Sequence, residues 1–320
     1  MNNNDPSDAA VNAVLKKKDI AALEALEDAS QAALDYALEK SEFSSNAIIH
    51  KFIKKKLGVA SVIVILILSV IAIFAPLIAP YNPMQMSSTL HIAPSADHLL
   101  GTDYFGRDVL SRLIYGARVS LIVGISVSIL SISLGTILGL LAGYCGGMVD
   151  ALIMRSVDII MTFPPIILLL AVVGVMGQGL WKIIFVLGFL GWPQVARLVR
   201  GSVLSVREMD YVKAATMMGF KTTRIIFGHI LPNVTAPILV NATFKVANAI
   251  VTEASLSFLG MGVQPPTPTW GNMLTNAKSI SILSKMPWEW LPPGIMIVIL
   301  VLAVNFVGDS LRDILALDDA

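Results

Sequence analysis

Two ionisable side chains, Lys245 and Glu253, interrupt the apolar run APILVNATFKVANAIVTEASLSFLG at 236–260. A charge at mid-bilayer costs roughly 2.5–3.5 kcal/mol on insertion scales, so neither group suits a lipid-facing position. Asn241, Asn248 and Ser257, together with Thr243, Thr252 and Ser255, add further polarity to the same run. Two arrangements would accommodate such a helix. It lines a water-filled translocation path, or it is clamped against polar partners within the chain. The spacing turns Glu253 about 80° from Lys245 around a helix axis, so no ion pair within the helix is implied.

Soluble-enzyme chemistry is absent from the rest of the sequence. The four histidines, His50, His91, His98 and His229, are scattered without metal-ligand spacing, and no metal site is expected. Gly219-Phe220-Lys221-Thr222 resembles the end of a phosphate-binding loop but lacks its glycine-rich cradle, so this chain would not bind ATP by that route. No serine stands in a recognisable nucleophile elbow, and no catalytic residue is expected.

The elements that must position Lys245 and Glu253 follow from composition. At about 150 residues per domain, 320 residues would suggest two soluble domains. Against that, 55% of the residues are hydrophobic and only 14% charged, where a soluble domain carries about 25% charged residues. Lipid must therefore be much of the solvent. Residues 1–56 hold 17 of the 45 charges. A net charge of +1 offers no basic stripe for nucleic acid. The single cysteine, Cys145, excludes an internal disulfide and is expected to be a small packing residue.

Crossing about 30 Å of hydrocarbon takes about 20 apolar residues. Runs of this kind predict six spans, at about 57–79, 119–143, 158–177, 182–199, 235–258 and 290–309. Lys51, Lys54, Lys55 and Lys56 precede the first and mark its cytoplasmic end. The segment 197–224 holds Arg197, Arg200, Arg207, Lys213, Lys221 and Arg224 against only Glu208 and Asp210, which places it on the cytoplasmic side too. Both termini are then cytoplasmic. The expected organisation is an acidic, Ala-rich helical extension at 1–50, a first span with its outer loop at 51–118, a five-span core at 119–310 containing a cytoplasmic loop at 200–234, and a tail at 311–320. The extension is either a docking appendage or a solvated helical tail.

Gly135, Gly139 and Gly143 recur at four-residue intervals, a strip that lets another helix approach closely. It could face a partner subunit or another span of this chain. Pro164, Pro165 and Pro193 are expected to bend the third and fourth spans. Residues 103–118 set Arg107, Asp108, Arg112 and Arg118 among apolar neighbours. That pattern suits either an amphipathic stretch at the outer interface or a plug packed on the bundle.

The loop DYVKAATMMGFKTTRIIFGHILPN at 210–233 resembles the EAA loop of ATP-binding-cassette importer permeases. Ala214, Ala215, Gly219, Leu231 and Pro232 match that pattern in order and spacing, while Lys213 stands where the family most often has Glu. The segments LGTDYFGRDVLSRLIYGARVSL, GWPQVARLVRG, EASLSFLGMGVQPPTPTWGNML and NFVGDSLRDILALD are similar to the C-type subunit of the dipeptide/oligopeptide permease group. The nickel and glutathione importers of that group share most of these features.

The resemblance implies an all-α polytopic fold of the type I importer permease kind in a bacterial inner membrane. It also implies a B-type sister permease, two ATPase subunits that carry ATP and magnesium, and an external substrate-binding protein. Lys213, Ala214, Ala215, Gly219, Leu231 and Pro232 would then form the ATPase-coupling loop. Asn241, Lys245, Asn248, Glu253 and Ser257 would line the translocation path, with Pro265, Pro266 and Trp270 facing the receptor. A self-sufficient secondary transporter or channel using Lys245 and Glu253 as coupling charges is the alternative from another class.

Overall fold

The computed structural model describes residues 50–316. The expected 1–50 extension and the end of the 311–320 tail therefore lie almost wholly outside the described residues. The chain divides into two units, Met1–Lys54 and Lys55–Ala320, and the whole helical bundle belongs to the second.

Eight helices organise the bundle: α1 Lys56–Ile73, α2 Val109–Cys145, α3 Gly147–Thr162, α4 Pro165–Met176, α5 Leu180–Arg207, α6 Asp210–Met217, α7 Leu231–Phe258 and α8 Pro287–Ala316. Among the described residues there is no strand, only an isolated bridge between Thr102 and Asp108. Among the described residues, five helical stretches are long and apolar enough to cross a membrane, and the pair α3–α4 makes a sixth only as a broken span.

The bend expected at Pro164 and Pro165 in the span at 158–177 is a full break, and the helical run starts earlier than expected. α3 starts at Gly147, and it meets α4 at a bend of 91°. The cause is local. A residue before proline is driven out of the helical region, and both Phe163 (ψ 139°) and Pro164 (ψ 124°) are extended. By contrast, α5 remains helical through Pro193.

The glycine strip faces another helix of this chain. A Cβ at Gly139 would lie 2.7 Å from Ala196 O and 2.7 Å from Val199 Cβ, and one at Gly143 would lie 2.7 Å from Val203 Cβ. These approaches are shorter than carbon atoms tolerate, so glycine is what lets α2 lie directly on α5. Val195, Val199 and Val203, all fully buried on α5, fill the groove.

Polar contacts define the two ends of the bundle. At one end Gln178 Nε2 donates to Gly260 O (2.9 Å), and His91 pairs with Glu289. At the other, Arg207 Nη1 donates to Tyr144 O (3.2 Å) and Lys55 pairs with Asp313 at 2.7 Å. Arg200 grips Asp150 through two bonds of 2.5 and 2.6 Å, tying α5 to α3. Arg197, Arg200 and Arg207 thus sit on the last turns of α5 rather than in a loop. Cys145 is exposed at the end of α2, which overturns its expected packing role.

Candidate functional site

A cavity of about 340 Å³ lies between α2, α3, α4, α5 and α7. Its walls are chiefly apolar, including Val127, Phe163, Leu169 and Leu187, with Ser131, Gln194, Asn248 and Thr252 adding polar groups. Lys245 is the one charged side chain lining it. Its Nζ donates to Gln194 Oε1 at 3.0 Å, a bond from α7 to α5. The α3–α4 break contributes Phe163 and Pro165 to the wall, so the 91° bend helps to shape the space.

Of the five residues expected to line a path, the cavity brings together Lys245 and Asn248. Glu253 is not there. It is 1% exposed, accepts a 2.6 Å bond from Ser257 Oγ, and makes a further hydrogen bond with Thr269. Glu253 and Ser257 are therefore a clamp between α7 and the following segment, which is the other arrangement open to a polar helix. Asn241 does not line this cavity either, and its Oδ1 is buried without a partner. The clamp has a measurable consequence. Glu253→Ala should lower the unfolding free energy of the solubilised protein by about 1–3 kcal/mol, since two buried hydroxyls lose their acceptor. Glu253→Gln, which keeps an acceptor oxygen, should cost clearly less in the same thermal-unfolding measurement.

The segment matching the EAA pattern forms a short helix with a defined stop. Beyond α6, Gly219 adopts φ +74°. Gly219 N–H donates to Thr216 O (3.0 Å) and Phe220 N–H to Ala215 O (3.2 Å). This is the paired bonding of a Schellman cap, which calls for a left-handed residue at the position of Gly219. Val212 and Ala215 face inward and Phe220 packs against the same cluster. Ala214 and Gly219 face outward. Lys213 pairs with Glu208 at 3.2 Å on the surface.

Around these residues lies an apolar face that the sequence reading missed. Met217 is 88% exposed and Met218 65%, with Met209 and Tyr211 exposed nearby. Adjacent methionines just past the buried Val212–Ala215 stripe were the available signal. After α6 the chain passes through Thr222–Ile225 and a π-helical turn, Ile226–Ile230, into α7. Pro232 lacks the N–H that an α-helix would use there, and the wider turn carries the helix past it, with Leu231 N–H bonding Ile226 O. Leu231 packs on the same buried cluster as Val212, while Pro232 is exposed.

At the opposite end, residues 80–108 and 259–286 form a cap over the helices. Trp270 is wholly buried and its Nε1 donates to Leu113 O at 2.9 Å. That position corrects the expectation of a receptor-facing Trp270, because its ring packs against Gly116 inside the cap. Pro265 and Pro266 are exposed. Of the 103–118 stretch, residues 103–108 lead into the first turns of α2. Its ionic groups except Arg118 are packed inward as a plug, while Tyr104, Phe105 and Arg118 are exposed. Asp103, Arg107, Asp108 and Arg112 are all at most 6% exposed. Asp108 also caps α2, accepting from Ser111 N at 2.7 Å. Among the described residues, no cluster of three or more His, Cys, Asp or Glu could hold a metal ion.

Comparisons with known proteins agree with this architecture. Residues 135–317 match the family described as binding-protein-dependent transport system inner membrane component, and residues 46–96 match the N-terminal TM domain of oligopeptide transport permease C. The dipeptide transport system permease protein DppC of Alkalihalophilus pseudofirmus is 44% identical over 264 residues, 82% of this chain and 86% of that one. The glutathione transport system permease protein GsiD of Pectobacterium atrosepticum is 40% identical over 267 residues, 83% of this chain and 88% of that one. Among solved structures, a chain of the MetNI methionine ABC transporter in inward facing conformations has a TM-score of 0.52 at 22% identity, covering 63% of this chain and 96% of that chain. That last likeness concerns the fold alone. With more than half of its length matched by one family and relatives at 40% identity or more, the chain belongs to the binding-protein-dependent transport system inner membrane components, the multi-pass permease subunits of ABC importers.

Proposed function

We propose that this chain is the C-type permease subunit of an ATP-driven importer of dipeptides or oligopeptides in a bacterial inner membrane. It pairs with a B-type sister permease, two ATPase subunits and an external substrate-binding protein. The observation that carries the reading is the exposed surface of α6, closed by the Schellman cap at Gly219 and flanked by bare methionines. Solvent-exposed Met217 and Met218 are costly to leave in water and well suited to a partner groove, since methionine adapts to irregular surfaces. The names of the relatives support the substrate class, and glutathione, itself a short peptide, is its nearest variant.

In this reading both termini and α6 face the cytoplasm. The lysines before α1 and the basic end of α5 favour that orientation by charge, and the Lys55–Asp313 pair sets the start of α1 beside the end of α8. Closure of the ATPases on ATP and magnesium would move the 205–225 segment. Because α6 is joined to α5 and, through the π-helical turn, to α7, that movement reaches both helices that hold Lys245. The chain itself performs no catalysis. It shifts between two states that ATP binding stabilises differently.

Reconstitution tests the assignment. Proteoliposomes containing both permeases and both ATPases, supplied with the loaded binding protein, should accumulate a labelled dipeptide only with ATP inside the nucleotide-accessible compartment. Uptake by this chain alone, without ATP or partners, would instead establish a self-sufficient transporter.

A further inference from the structure

The cavity of about 340 Å³ presents one ammonium group and no carboxylate among the residues that line it. An ammonium has three donors. In Lys245 the described partner is a single acceptor, Gln194 Oε1 at 3.0 Å. Gly191 lets backbone come close beside that ammonium, since a Cβ built there would meet Nζ at 3.6 Å and overlap the Ser131 hydroxyl. The other acid of α7, Glu253, is turned away into its bond with Ser257 and does not line the cavity. Asn248, exposed into the same space, supplies an amide within one turn of Lys245. A cation placed in this way at membrane depth calls for an anion that comes and goes.

We propose that Lys245 is a carboxylate-recognition site that engages the C-terminal carboxylate of a peptide in transit. This rests on the importer reading above and adds to it the group that is recognised. The apolar walls make no demand on side-chain identity, so the cavity reads what peptides share rather than what distinguishes them. One positive charge matches one carboxylate, whereas a phosphate dianion would leave a charge uncompensated. Lysine also suits passage better than arginine. It meets a carboxylate as a point charge rather than as a two-pronged clamp, and a transported group must leave as readily as it arrives.

The test uses the assembled permease–ATPase complex in lipid nanodiscs, without the binding protein, whose own selectivity would mask that of the cavity. Equilibrium binding of trialanine is compared with that of trialanine amide by titration calorimetry. The free acid should bind about ten- to hundredfold more tightly, the range for one charge-assisted hydrogen bond. Lys245→Met and Lys245→Gln should bring the acid down to the affinity of the amide. Lys245→Arg should keep the preference for the acid. Binding of the amide, which does not use the contact, reports that each variant is folded. Equal binding of acid and amide to the wild type, equal weakening of both by Lys245→Met, or no binding of either would overturn the proposal. ATP-driven uptake with the loaded binding protein answers separately for the importer reading. Its absence would remove that reading, whereas uptake combined with an acid preference indifferent to residue 245 would remove only this one.

Discussion

Gly219→Asp should reduce ATP-coupled uptake at least a hundredfold while the chain still inserts and folds. The reason lies in what surrounds Gly219. A Cβ added there meets nothing within 4 Å, so a longer side chain has room in the isolated subunit. The φ of +74° does strain an L-residue, by about 1–2 kcal/mol, but aspartate and asparagine tolerate this region better than most. Internal damage should therefore be small. What the substitution alters is the outer surface of α6, where a carboxylate would be carried into any groove that receives the helix. Burying it unpaired would cost several kcal/mol, and each 1.4 kcal/mol is a factor of ten in association.

Two companion variants separate charge from backbone. Gly219→Asn has the same size and similar tolerance of positive φ, so it should keep a large part of the uptake. Gly219→Val places a β-branched side chain where it is a conformational outlier, and should unwind the cap that Gly219 and Phe220 make with Thr216 and Ala215. Co-purification of the ATPase subunits with each variant gives the direct readout, with membrane insertion measured alongside. Normal co-purification and uptake by Gly219→Asp would show that the ATPases dock elsewhere.

The segment at 210–233 was legible in the sequence because its design is local. Two alanines and a glycine four residues later specify a short helix and its stop, and the structure builds both from bonds within ten residues. The spans were legible for the same reason, since hydropathy is a property of consecutive residues. In the third, the expected proline bend was legible but not its extent, because two neighbouring conformational preferences add up to a full break. Hydropathy runs on through Pro164 and Pro165, but the backbone cannot, and the break at Phe163 also gives the cavity part of its wall.

Long-range pairing was not legible. Nothing in the spacing of Lys245 and Glu253 says that one faces a cavity and the other a clamp; that depends on Gln194, 51 positions away, and on Thr269 beyond the end of α7. The glycine strip announced close packing but not its partner, which turned out to be the valine ridge of α5. Trp270 was expected to face the receptor because its sequence neighbours are prolines and polar residues. It is buried because Gly116, far away in sequence, leaves space for its ring.

The largest loss of stability should follow from Asp103→Ala, at a residue that hydropathy alone would place in an outer loop. Asp103 Oδ1 accepts from the backbone N–H groups of Phe105 (2.9 Å) and Arg107 (3.0 Å). Its Oδ2 accepts from Arg107 Nε at 2.8 Å and lies 3.5 Å from Arg112 Nε. Arg107 and Arg112 are 4% and 2% exposed, so this one carboxylate compensates two buried guanidinium groups. Arg112 also reaches Pro83 O and Asn272 Oδ1, and through them both halves of the outer cap. Removing one partner of a buried pair costs about 3–5 kcal/mol, and here two like charges would be left facing each other. Arg107→Ala should be milder, since Asp103 would keep Arg112 and its backbone donors. The sharper comparison is the double variant Asp103→Ala/Arg107→Met. Taking away one of the orphaned cations should recover part of the loss, a non-additivity expected only of groups in one network. Thermal unfolding of the purified chains, read by fluorescence-detected size exclusion, would resolve these differences. If Asp103→Ala matches the wild type, or if the double variant is no better than the single, the cap is held by Trp270 and its apolar neighbours and the ionic cluster is incidental.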